Sequence, residues 1–136
     1  MTSCREGRIA QPLGDGLYLI DTGYVRPGLA ASHLLVDQGR AAFIDTGPGP
    51  AAPRLLSALD ELGLAREQVD YLFLTHVHLD HAGGAGQMMQ ALPNAKAVLH
   101  PRGAPHLVDP SRLIAGTIAV YGDAVYRQLY GELLPI

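Results

Sequence analysis

The alternation of apolar and polar positions divides the chain into short strands first and helices later. Leu17-Tyr18-Leu19-Ile20 follows Gly14-Asp15-Gly16 and predicts a strand after a turn. Ser32 to Val36 and Ala41 to Ile44 predict two more, joined by Asp37-Gln38-Gly39-Arg40, whose length and composition suit a hairpin. Leu55, Leu56, Leu59 and Leu62 recur at helical spacing, and Gly63 is placed to end that helix. Val69 to Leu74 reads as a buried strand. A short helix over 86–92 closes at Pro93-Asn94, and Ala97-Val98-Leu99 predicts a further strand. Beyond Pro101 the pattern turns helical, over 102–107, 111–115 and 119–133. In the last of these Tyr121, Tyr126 and Tyr130 recur with Val120, Val125, Leu129 and Leu133, which predicts a packing face. Strands that pair locally and then alternate with helices predict an α/β (α+β) fold, a mixed sheet with helices on one face. With no repeat or linker, residues 1–136 read as a single domain.

Composition narrows the function classes. Of 136 residues 48% are hydrophobic and 17% charged, so the chain is able to bury a core. A net charge of −3 leaves no basic footprint for nucleic acid. The single cysteine, Cys4, excludes an intrachain disulfide and reads as a bystander thiol. The charged N-terminus lacks the apolar core of a secretory signal, and no apolar run approaches the ~20 residues needed to span a bilayer. The expectation is a cytoplasmic protein with a small-molecule substrate.

The chemistry concentrates in Thr75-His76-Val77-His78-Leu79-Asp80-His81-Ala82-Gly83-Gly84, directly after the apolar strand. Imidazole nitrogen and carboxylate oxygen are ligand types that zinc and iron accept. Two residues apart on an extended segment, His76 and His78 face the same side and reach one cation. Asp80 and His81 follow after the chain has begun to turn and point elsewhere. The spacing therefore suits two adjacent metals, which together can activate a water and clamp both oxygens of a displacement. Gly83-Gly84 is expected to offer bare backbone where a substrate approaches.

This run resembles the signature of the metallo-β-lactamase superfamily, and Phe43-Ile44-Asp45-Thr46-Gly47 resembles its upstream Asp-Thr-Gly motif. The resemblance implies an αββα sandwich, of which this chain would be the first ββα half. It implies that His76 and His78 bind one zinc and Asp80 and His81 a second, iron or manganese being alternatives. Asp80 would also hold the attacking water, and Asp45 would orient the ligands. The implied activity is hydrolysis of an ester, thioester or lactone by a metal-bound hydroxide.

A complete site in this family would need a third histidine, a bridging aspartate and a late histidine. Nothing after His81 matches that pattern: Asp109 and Asp123 lie in helix or turn contexts, and His100 and His106 read as a polar loop residue and a helix residue. His33 reads as packing or pocket lining. The apolar tail Leu133-Leu134-Pro135-Ile136 fits a fold cut before its next strand. The expectation is thus an incomplete site, inactive or weak alone, with an apolar sheet face that favours self-association or pairing with a C-terminal half. Two alternatives remain open: a non-hydrolytic iron-dependent member of the sulfur dioxygenase or diiron type, and a metal-binding fragment without activity.

Overall fold

A computed structural model describes residues 9–24, 30–76, 78–130 and 134–136; of Asp80 only the backbone is described. Six strands form one sheet in the order β1-β2-β3-β4-β5-β6. They are Ala10–Gly14, Leu17–Asp21, Ala31–Asp37, Arg40–Ile44, Val69–Phe73 and Lys96–Val98. The first four pair antiparallel, whereas β4, β5 and β6 run parallel. The switch follows from connection length. Two residues suffice between β3 and β4, where Gln38 and Gly39 have φ of 50° and 75°, as a twisted two-residue hairpin requires. The later strands are linked through helices, which a parallel pair needs.

Helix α1 (Ala52–Glu61) makes the first crossover. It ends where its leucine pattern and Gly63 predict. Gly63 N–H donates to the Asp60 carbonyl and Leu64 N–H to the Leu59 carbonyl, while φ at Gly63 is 72°. Beyond β5 come α2 (Leu79–Ala82) and α3 (Ala85–Ala91), and after β6 α4 (Ala104–Val108), α5 (Ser111–Tyr121) and α6 (Asp123–Tyr130).

The main core lies between one sheet face and these helices. Ile20, Leu34, Phe43 and Leu72 from the strands meet Leu55 and Leu59 of α1, Met88 of α3 and Leu107 of α4. Each such side chain, fully buried, contributes about 1.5–3 kcal/mol of transfer free energy. The other sheet face carries Leu35, Tyr71, Phe73 and Val98, which remain 37–45% exposed. The predicted mixed sheet with helices on one face is what forms.

Two expectations need correction, and the apolar tail takes a definite place. The sequence pattern singled out no strand at Ala10–Gly14, yet one forms at the sheet edge, where Pro12 is tolerated, with irregular register between Pro12 and Gly14. The predicted helix breaks over 111–115 and 119–133 are misplaced: α5 runs unbroken to Tyr121 and the break falls at Gly122, whose φ of 85° ends it. The apolar tail, in its described part, is docked: Ile136 packs against the core, and its N–H donates to the Leu107 carbonyl at 3.0 Å.

Candidate metal centre

Parallel strands β4 and β5 end side by side, and the loops leaving their C-terminal ends meet. Such strand ends are where open α/β sheets build their sites. Asp45, the first residue after β4, donates its N–H to the Phe73 carbonyl at 2.7 Å. Its φ of 62° lies in the left-handed region, which Asp tolerates better than most residues. That conformation accompanies a buried carboxylate joined to the neighbouring strand's exit. Oδ1 accepts from Thr75 N–H at 2.8 Å and Oδ2 from the Thr75 hydroxyl at 2.7 Å. Ser32 donates its hydroxyl to the Asp45 carbonyl at 2.8 Å.

Thr75 carries the geometry one step further, to His76. Its Oγ1 lies 2.8 Å from His76 Nδ1. The hydroxyl has one proton, and a carboxylate only accepts, so that proton goes to Asp45. Nδ1 of His76 is then placed to donate toward Thr75, the tautomer whose lone pair is on Nε2. A ligand histidine fixed in this way presents a defined lone pair.

The three histidines gather around His76. Ring centroids are 4.4 Å apart for His76 and His81, and 5.1 Å apart for His76 and His78, the latter pair edge to face. His76 and His78 are exposed and His81 is half-buried. Among the described residues no three acidic, histidine or cysteine side chains converge on one metal-sized point. The donors fit a metal in kind and are crowded into one patch. Asp80 is the second residue of α2, and its side chain lies outside the described residues, so its expected ligand and water-holding roles do as well.

A second set of contacts holds His81 in place. Its carbonyl accepts from Thr46 N–H at 2.8 Å and Gly47 N–H at 3.0 Å. Gly84 N–H donates to the Gly47 carbonyl at 2.9 Å. A Cβ on Gly84 would lie 3.2 Å from both the Pro48 carbonyl and Thr46 Oγ1. Gly83 and Gly84 are buried, so they serve close packing of this loop rather than the substrate approach expected of them. The Asp-Thr-Gly segment therefore grips both ends of the histidine run, through Thr75 and through His81.

The remaining histidines lie elsewhere. His33 sits on the sheet's open face, opposite Ile44 and Leu19. His100 is exposed just beyond β6, its Nδ1 accepting from Arg102 N–H at 3.1 Å. His106 belongs to α4 and lines a hollow with Asp109 and Arg112. Thr75 was not singled out in the sequence; its place before His76 was the only signal. The packing stripe predicted from the tyrosines is split: Tyr126 and Tyr130 are buried with Leu79, whereas Tyr121 is 49% exposed.

A cleft of about 280 Å³ opens beside the cluster. His78 and Leu79 form one side, Leu113, Thr117 and Tyr121 of α5 another, and Tyr24 and Tyr130 close it. A hollow of about 320 Å³ lies at the other end of β5, between Arg40, Asp70 and Tyr71, remote from the histidines.

Comparison with known proteins places this arrangement. The sequence profile of the metallo-beta-lactamase superfamily matches residues 25–133. A hydroxyacylglutathione hydrolase of Salmonella paratyphi A is 38% identical over 91 residues, covering 64% of this chain and 32% of that protein. The chain thus spans about a third of the length of such relatives. Among solved structures, a subclass B3 metallo-beta-lactamase from a soil metagenome library aligns with a TM-score of 0.62 at 22% identity, over 73% of this chain and 35% of its own. A motif mutant of a Cronobacter sakazakii metallo-beta-lactamase gives 0.66 at 20% identity, over 93% and 45%. These two likenesses establish the fold.

Proposed function

The chain belongs to the metallo-beta-lactamase superfamily, and from that premise we propose that it supplies the first metal-holding half of a hydrolase acting on a thioester or ester. The observation that carries this reading is the clustering of His76, His78 and His81 at the end of β5, with His76 oriented by Asp45 through Thr75. The thioester preference comes from the hydroxyacylglutathione hydrolases among its relatives. His76 and His78 would hold one zinc, and Asp80 and His81 the second. When bound, such metals supply Lewis acidity and make water nucleophilic near neutral pH.

The chain's own residues prepare that chemistry. Asp45 and Thr75 keep the Nδ1 proton of His76 on the side away from the metal, so that Nε2 stays available. Thr46 and Gly47 fix the backbone of His81 through its carbonyl. Asp80, one residue earlier in α2, would hold a water in line with the carbonyl. The further ligands would come from the part of the fold that longer relatives possess, seated on the open sheet face. That seating is supported by the apolar row Leu35, Tyr71, Phe73 and Val98, and by the 35–45% share of the solved structures that the chain covers.

Zinc titration of the chain and of His76→Ala tests the reading, with thioester hydrolysis assayed alongside. Metal binding that vanishes in the variant supports it. Undiminished binding in His76→Ala would sink the assignment. Iron in protein purified without added metal, with oxygen uptake and no hydrolysis, would replace the hydrolase by the redox reading.

A further inference from the structure

One residue of the covered sheet face breaks its apolar pattern. Ser32, Leu34 and Val36 alternate along β3 toward the helices; Leu34 lies in the core and Val36 packs against it. Ser32 is fully buried in that row and pairs across the sheet with Ile20, itself fully buried. A hydroxyl placed among apolar side chains costs free energy unless it is hydrogen bonded. Here its proton is shared between two carbonyls at the end of β4, that of Ile44 at 3.2 Å and that of Asp45 at 2.8 Å.

Those two carbonyls bracket the point where β4 stops being a strand. The β3–β4 ladder ends with His33 opposite Ile44, and one step further Ser32 would face Asp45. Asp45 instead takes its left-handed φ of 62°. A residue other than glycine stays in that region only where its surroundings hold it there. On the β5 side the hold comes from the Asp45 N–H on the Phe73 carbonyl and from the carboxylate on Thr75. On the β3 side it comes from the Ser32 hydroxyl. Removing that hydroxyl takes a donor from the carbonyl of a buried residue and lets the turn relax. The carboxylate that receives the Thr75 hydroxyl moves with the turn.

We infer that Ser32 is a positioning residue for His76. It acts through the backbone of Asp45, and the Asp45 carboxylate and the Thr75 hydroxyl pass the constraint on to Nδ1 of the ring. Its effect on metal affinity rests on the metal-holding reading above; its effect on the ring proton does not. A serine in a core row thus serves the site from the far side of β4, where a small apolar residue would have satisfied packing alone.

The test is the ¹⁵N spectrum of the imidazoles in the metal-free chain at about pH 8, where a histidine ring is neutral. Zinc affinity is measured alongside by competition. In the parent, His76 should carry its proton on Nδ1. Ser32→Ala should return His76 toward a mixture of the two tautomers and weaken zinc binding about tenfold. Ser32→Cys keeps the size and a weak donor, and should fall between parent and alanine. Val36→Ala opens a cavity in the same row of the same strand, and should lower stability without moving the His76 proton. If Ser32→Ala does not fold, Ser32→Cys is read against Val36→Ala, and a shifted proton in the cysteine variant alone is the expected result. A parent protonated on Nε2, an unchanged tautomer in every folded Ser32 variant, or an equal shift in Val36→Ala would overturn the inference. A shifted proton with no zinc bound by any form, the parent included, leaves the positioning role standing and removes the metal-holding reading alone.

Discussion

The two faces of the sheet are made by the same strands and carry comparable apolar residues, yet only one is covered. On the helix side Leu34, Phe43 and Leu72 are fully buried; across the backbone Leu35, Tyr71 and Phe73 stay 37–45% exposed. Alternation along a strand explains the split, since neighbours point to opposite faces. What it teaches is that this sheet was not patterned apolar-in and polar-out. Phe73 sits opposite Val98 in the next strand, and Tyr71 and Phe73 have ring centroids 5.6 Å apart. A half-exposed row of this kind is the surface on which the proposed second layer would sit.

The sharpest way to break the comparison is to truncate one residue on each face. Phe43→Ala should cost about 3–5 kcal/mol by urea denaturation, because the surrounding core cannot collapse into the space. Phe73→Ala, by contrast, should cost under about 1 kcal/mol in the monomer. Equal losses would mean that the open face holds the monomer together as strongly as the covered one.

A smaller effect concerns the site at the edge between the faces. Thr75→Val keeps the side-chain shape and removes the link from Asp45 to His76. It should weaken zinc binding about 10–100-fold in a competition titration, without comparable loss of stability. An unchanged affinity would show that His76 does not need this orientation.

Self-association provides the next test. Concentration-dependent scattering should show association of the chain, reduced in Phe73→Glu, which places a charge in the apolar row. A strictly monomeric, compact parent would count against the open face as a seat for another layer.

The smallest effect belongs to the ion pair at the rim of that face. Arg40 donates Nε–H to Asp70 Oδ2 at 3.0 Å, with a second contact from its NH2 group to Oδ1. Chiefly through these hydrogen bonds, and then by charge, Arg40 holds the Asp70 carboxyl below the usual carboxylate range. A depressed folded value means stability that is complete above the unfolded carboxylate pKa and lost as pH falls through the folded one. The melting difference between the parent and Arg40→Ala should therefore be small at neutral pH, the pair being exposed, and disappear in strong acid. A difference that grows on acidification would refute this.

Much of the fold was legible because it depends on local spacing. The Asp37–Arg40 turn, the α1 leucines and Gly63 state their conformations within a few residues, and the structure realises each of them. The edge strand Ala10–Gly14 was not legible, since pairing with β2 rather than its own composition makes it extended. The α5–α6 break was misread because glycine at 122 acts through φ, which the tyrosine stripe hides. At the site, residue types and their order identified the histidine run and Asp45. The Thr75 relay and the Tyr24–Tyr130 closure join residues 30 and 106 positions apart, so no window of sequence displays them.

The sequence by itself determined the superfamily, the mixed sheet with one helical side, and a donor-rich run at a strand end. Those features are encoded in periodicity and in residues that are neighbours in the chain. Only the tertiary structure decided that Gly83 and Gly84 pack a loop instead of meeting substrate, that Asp45 reaches His76 through a threonine, and that Tyr24 and Tyr130 meet beside His78. Each depends on which strand ends and helix sides come together, and side-chain burial and proton direction follow from that meeting.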